Sequence, residues 1–209
     1  MLYLPAGGEE ERPLLDELSK DLCPLFTVSI HTGLRWSEQI GLAWRDADLL
    51  ARVITVRQSK NGTGRQIPMN AVVRSVLIDL ASRRRRPNDP EEPVFQGAYR
   101  TVAGAFSPAV SRAQKALRSA GKDASRLDGF TWHANRHTFA SRLVMAGVDL
   151  RTVQELGGWR TLSMVQRYAH LAPGHLQAAV ERLVTKRRRS IPKVARRRKL
   201  CAPRAPDVL

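Results

Sequence analysis

The residues best suited to chemistry fall in one stretch, Thr131 to Leu171, TWHANRHTFASRLVMAGVDLRTVQELGGWRTLSMVQRYAHL. His133 and Arg136 lie three residues apart, which puts them on a common helix face. Trp159 follows a Gly157-Gly158 stop, and Tyr168 comes at the end of a short helical pattern. Together they describe a cationic pocket with a phenol at its edge. Two further cations stand outside this stretch. Arg35 sits in the turn Gly33-Leu34-Arg35, and Lys60 sits at the tip of a hairpin, KNGTG. By themselves, both read as solvated surface charges. His137 reads as a structural hydrogen-bonding residue and His170 as support for the tyrosine's loop. Trp159 by itself reads as a packing residue. Trp36, Trp44 and Trp132 read as core or helix-anchoring residues.

The elements that position these groups follow from local signals. Thr131 is an N-cap signal for a helix from Trp132 to Ala146, with Phe139, Leu143 and Ala146 as an apolar stripe and Gly147 as the stop. Asp149 caps a second helix through Leu156, and a third lies around Leu162–Gln166. Upstream, Leu14 to Thr32 predicts two helical pieces meeting near Pro24, closed by Gly33, and Ser37 to Ala43 a short helix with Glu38 near its positive end. Val53–Val56 and Arg65–Pro68 alternate as the two strands of a hairpin. Asn70 caps a helix to about Ser82, which ends in the run Arg83–Arg86. Val94-Phe95 reads as a short strand or anchor, Ser107-Pro108 as the start of a helix to about Ala120, and 121–129 as a polar loop. Another helix is expected from Gly174 to Val184. The fold class is therefore mainly α with a small antiparallel β-sheet.

Composition narrows the partner. The chain has 209 residues, 43% of them hydrophobic, and a formal net charge of +16. That excess of cations points to a polyanion, most simply nucleic acid. From Lys186 onward there are ten Lys/Arg against one acid, Asp207, so this segment supplies more than half of the net charge. It reads as a basic tail that is disordered unless bound. Cys23 and Cys201 are too far apart in sequence and context to suggest a disulfide framework, which suits a reducing cytoplasm. No apolar run is long enough for a membrane span, and no spacing of His, Cys or acids suggests a metal site.

Taken together, the stretches HTGLRWSEQIGLAW, SKNGTGRQIPM, HANRHTFASRLVMAG and LGGWRTLSMVQRYAHL resemble the catalytic domain of the tyrosine recombinases, the phage-integrase-like enzymes. The resemblance runs from about Leu14 to Pro173. It implies a catalytic set of Arg35, Lys60, His133, Arg136, Trp159 and the nucleophile Tyr168, with Glu38 as an acidic companion to Arg35. It further implies strand cleavage through a 3′-phosphotyrosyl bond without metal or cofactor, on double-stranded DNA, by a homotetramer in the synaptic complex. The expected location is the cytoplasm, on the nucleoid when DNA is bound. Two departures stand out. Asn135 is polar where relatives usually place Leu, and the N-terminal core-binding domain is missing ahead of a polar lead-in at 1–13. The organisation expected is thus lead-in, catalytic domain at 14–185 and tail at 186–209. Rival readings are a non-catalytic DNA-binding fragment, a type IB topoisomerase-like enzyme and a basic RNA-binding module.

Overall fold

Helix α6 (Ala134–Met145) is buried on almost every side, and the rest of the chain is laid around it. The computed structural model describes residues 3–5, 8–57, 64–95, 98–172 and 180. Two units divide at Pro173, and the first, Met1–Pro173, holds everything that follows. Lys60, the expected Gly174–Val184 helix (apart from Val180) and the basic tail lie outside the described residues.

Within the first unit, α1 (Glu11–Glu17) and α2 (Leu22–Thr32) are followed by the short α3 (Trp36–Ile40). Three strands, β1 (Ala47–Asp48), β2 (Val53–Val56) and β3 (Arg65–Pro68), form an antiparallel sheet in the order β1-β2-β3, with Val56 opposite Arg65. Then come α4 (Ala71–Ser82), α5 (Ala98–Ser119), α6, α7 (Leu150–Gly157) and α8 (Ser163–Gln166). This is the expected mainly helical fold with a small sheet.

The main core gathers apolar side chains from α2, the sheet, α4 and α5, among them Phe26, Ile54, Leu77 and Leu117. A smaller core lies around Ala140 and Val144 of α6, with Val153, Val165 and Tyr168. With neighbours on both sides, α6 lacks a single stripe. Thr138, Ala140 and Ser141 are buried as completely as any apolar residue, whereas Ala146 of the expected stripe is exposed.

Other expectations are corrected. Helix α6 starts at Ala134 without a cap from Thr131, because residues 134–136 form tight backbone bonds to the carbonyls of 131–133. Helix α5 begins at Ala98 rather than Ser107, with Pro108 inside it. Proline removes an amide bond and crowds the carbonyl four residues back. Here Gly104 and Pro108 are both on the exposed face, so water can serve that carbonyl, while Phe106, Val110, Ala113 and Leu117 bury the opposite face. The polar lead-in contributes to the core: Leu4 is fully buried, its amide donates to Thr138 Oγ1 at 3.1 Å, and Arg142 Nε donates to its carbonyl at 2.9 Å. In the expected 121–129 loop Leu127 is fully buried. The Arg83–Arg86 run is partly structural, since Arg84 lies over Trp44 and pairs with the buried Glu92.

The turn after α2 has little freedom. Gly33 ends the helix at φ 63°, and a Cβ there would lie 2.3 Å from Phe139 Cδ1 on α6. Gly33→Ala is expected to cost on the order of 3 kcal/mol, combining left-handed backbone strain with overpacking. Thermal unfolding should then show a midpoint lowered by roughly 6–12 °C for a chain of this size.

Candidate active site

Four positions singled out in the sequence, Arg35, His133, Arg136 and Trp159, line one open cavity of about 360 Å³ together with His137, Ser163, Met164 and Arg167. Tyr168 lies behind this wall and is fully buried. The structure therefore brings together five of the six expected residues; Lys60 is not among the described ones.

Arg35 occupies the residue before α3 in extended conformation, and its amide donates to Glu38 Oε2 at 2.9 Å. Its guanidinium reaches Glu38 Oε1 at 2.6 Å and the Gly158 carbonyl at 2.7 Å. Glu38 is shared. Arg65, on β3, forms a two-pronged pair with both carboxylate oxygens at 2.9 and 2.7 Å and donates through Nε to the Leu156 carbonyl at 3.0 Å. A single buried carboxylate thus ties α3, the base of the hairpin and the end of α7 into one frame. Burial alone would raise the Glu38 pKa. Hydrogen bonds from the Arg65 side chain and the Arg35 amide, with the charge of Arg65, instead hold it down at about 2.

Arg136 has a different setting. It is only 4% exposed, its Nη1 donates to the Gly33 carbonyl at 2.5 Å, and its guanidinium carbon lies 3.9 Å from the centre of the Trp159 ring. Trp159 in turn folds over Gly157, where a Cβ would come within 1.9 Å of its ring. Burial, with Arg35 and Arg65 nearby, pushes the Arg136 pKa down to about 9. The side chain remains charged at neutral pH. Three guanidiniums around one carboxylate are nonetheless an unbalanced arrangement that an incoming anion relieves.

The tyrosine is held by a residue to which the sequence reading assigned only a structural bond. Tyr168 Oη lies 2.6 Å from His137 Nδ1. Burial raises the Tyr168 pKa, with Arg167 and Arg136 acting in the opposite direction. Burial first, then His133, Arg167 and Arg136, bring His137 down to about 4. His133 meets His137 edge-to-face at 5.0 Å between ring centres, and its pKa is lowered by burial and by Arg136 and Arg35. His170 is exposed. Trp36 and Trp132 meet edge-on at 5.5 Å, and Trp132 meets Phe106 at 4.9 Å, in keeping with anchoring roles.

A profile described as the phage integrase family matches residues 11–175. The chain belongs to the phage integrase family. Among curated members, it is 35% identical over 173 residues to the integrase of Salmonella phage P22, covering 80% of this chain and 43% of that protein. It is 32% identical over 177 residues to tyrosine recombinase XerA of Pyrococcus furiosus, covering 83% and 59% respectively. The chain thus spans well under two thirds of these relatives. Among solved structures, the catalytic domain of bacteriophage HP1 integrase superposes with a TM-score of 0.60 at 29% identity, covering 87% of this chain and 95% of that one. The integrase of transposon Tn1549, in complex with circular intermediate DNA, gives 0.65 at 26% identity, covering 88% and 67%. The family's fold is therefore that of a tyrosine recombinase catalytic domain.

Arg65 and His137 were not singled out as site residues by their patterns. For His137 a signal existed, since four residues separate it from His133 and the two share a face. Arg65 had none, because its partners are 27 and 91 residues away. Arg65→Gln leaves Glu38 buried with half of its compensation and should cost about 3 kcal/mol at neutral pH, the low end for breaking a buried pair. The sign with pH follows from Glu38. Its folded pKa of about 2 lies below its ordinary 4.5, so its ionised contribution is full above about 4.5 and fades as pH falls towards 2. Urea titrations at pH 7 and pH 3 should find the wild-type advantage over Arg65→Gln smaller at pH 3.

Proposed function

We propose that this chain is the catalytic domain of a site-specific DNA recombinase or integrase, with residues 14–185 as the working unit. The observation that carries the reading is the joint placement of Arg35, His133, Arg136 and Trp159 around one cavity with Tyr168 directly behind it. A phosphodiester in this cavity meets two guanidiniums that can each hold a nonbridging oxygen through planar donors. Charge on those oxygens grows during displacement, and fixed cations in a partly buried site stabilise it.

Tyr168 attacks phosphorus, forming a 3′-phosphotyrosyl bond, and the 5′ oxygen leaves with a proton supplied by Lys60. His133 assists proton movement near the phosphate, and the Trp159 indole packs Arg136 or contacts a phosphate oxygen. Because the phosphotyrosine conserves bond energy, a second strand's 5′-hydroxyl can reverse the step without ATP. The buried hydroxyl describes a resting enzyme, so DNA binding must shift the segment carrying Tyr168 towards the cavity. Double-stranded DNA is the partner, supported by the net charge of +16 and by the DNA complex of the Tn1549 relative. Synapsis occurs in a homotetramer, and the chain works in the cytoplasm on nucleoid DNA.

The test is covalent capture. Nicked duplexes from a randomised pool are incubated with the protein and resolved on a denaturing gel. A retarded protein–DNA band supports the reading, and sequencing the captured DNA reports the site. A protein that binds the pool yet never gives the band would be a non-catalytic DNA-binding fragment.

A further inference from the structure

We propose that His137, rather than His133, is the proton acceptor for the Tyr168 nucleophile, an inference that rests on the recombinase reading above. His137 contacts the reacting atom itself, with Nδ1 2.6 Å from Tyr168 Oη. The direction of this bond follows from hydrogen-bond accounting. Tyr168 is fully buried, and no second partner for its hydroxyl is seen among the described residues. If Nδ1 carried the proton, the buried phenolic O–H would have no acceptor, a cost of about 1–3 kcal/mol. The phenol therefore donates, Nδ1 accepts, and the imidazole proton is on Nε2.

His137 also bridges two environments. Its ring lines the cavity with Arg35 and Arg136, while its Nδ1 faces back to the tyrosine. His133, the residue before α6, lies one turn earlier on the same cavity wall, its ring centre 5.0 Å from that of His137.

Charge makes the acceptor conditional on substrate. The groups facing His137 are Arg136 on its own helix, His133 just before that helix, and Arg167 and Tyr168 from the segment packed against it, with Arg35 across the cavity. Burial, with Arg167 and Arg136 among its neighbours, brings the imidazole down to about 4, so at neutral pH Nδ1 is free to accept but would be a weak base alone. A phosphodiester among Arg35, Arg136 and Arg167 offsets the cations and raises the imidazole's affinity for a proton. In the step, the Oη–H bond breaks and its proton passes to Nδ1. Oη bonds to phosphorus, the bond from phosphorus to the 5′ oxygen breaks, and that oxygen takes its proton from the leaving-group acid. On resealing, the imidazolium returns the proton to Oη as the phosphotyrosyl bond breaks.

The experiment uses the full chain and nicked duplexes carrying, at the scissile position, either an ordinary phosphodiester or a 5′-bridging sulfur, whose thiolate departs without a proton. His137→Asn places Oδ1 where Nδ1 stood, keeping an acceptor for the hydroxyl but no base. Adduct formation by His137→Asn should fall roughly 10²–10⁴-fold on both substrates, the range for losing a general base. Lys60→Ala should instead recover on the sulfur substrate, and the acid limb of the wild-type pH–rate profile should vanish in His137→Asn. His137→Gln serves as a second variant, and DNA affinity with thermal midpoint confirms that each protein is folded. Wild-type rates in His137→Asn, rescue of it by sulfur, or faster cleavage would each overturn the assignment while leaving the recombinase reading intact. A wild-type protein that forms no adduct on either substrate would overturn both.

Discussion

Tyr168→Phe is expected to eliminate the covalent protein–DNA band while leaving the protein folded and able to bind DNA. The ring belongs to the smaller core with Ala140, Val144, Val153 and Val165, and phenylalanine preserves that packing. What disappears is the hydroxyl and its bond to His137 Nδ1, a loss of about 1 kcal/mol. The thermal midpoint should therefore drop by only about 2–4 °C. DNA affinity, which reflects phosphates neutralised by Lys and Arg, should stay within about twofold. The denaturing gel should show adduct at background, because among the described residues the cavity wall otherwise holds only guanidiniums, imidazoles, an indole, the Met164 thioether and the Ser163 hydroxyl. Ser163 is exposed, and its hydroxyl is hydrogen-bonded to Thr161 at 2.8 Å. A retained band in Tyr168→Phe would make another residue the nucleophile, with Ser163 the first to replace.

Much of this site was legible in the sequence because its residues are held by short-range devices. Asp149 caps α7 through Thr152, Asn70 caps α4 through Val73, and Gly33 and Gly158 end α2 and α7 in left-handed conformation. Each leaves a local trace that pattern reading recovers, and with it the spacing of His133 to Arg136 and of Gly158 to Trp159. What was not legible is held by contacts across the fold. Glu38 could be read as a companion of Arg35, three residues away, but its bond to Arg65 joins two elements that only folding brings together. The apolar stripe of α6 was read only in part for a related reason: Phe139 and Leu143 do pack inward, but a helix set against α2, α7 and the 169–171 turn also buries Thr138, Ala140 and Ser141, which blurs the period. Helix α5 was shortened because a proline normally marks a helix start. Its tolerance here depends on an exposed face that the sequence does not announce.

The second large effect is expected at Arg136. Arg136→Ala should reduce adduct formation about 10²–10³-fold, the loss typical of removing one donor to a developing oxyanion. Arg136→Lys should recover little of it. An ammonium keeps the charge but cannot both cover the Trp159 ring, where the guanidinium carbon lies 3.9 Å from the ring centre, and present paired donors to a phosphate. A purely electrostatic role would instead allow lysine to restore most of the activity, and the two variants separate these cases. An independent readout needs no DNA. Arg136 lowers the pKa of both His133 and His137, so Arg136→Ala should move both imidazoles towards 6.5, while Arg136→Lys should leave them closer to their wild-type positions. Following the two ring signals by NMR titration from pH 3 to pH 8 measures this directly. Larger movement at His137 than at His133 would mean that Arg136 acts chiefly on the tyrosine's partner. Unmoved imidazoles would show that burial alone sets their protonation, and that the cationic clamp and the proton acceptor are electrostatically independent.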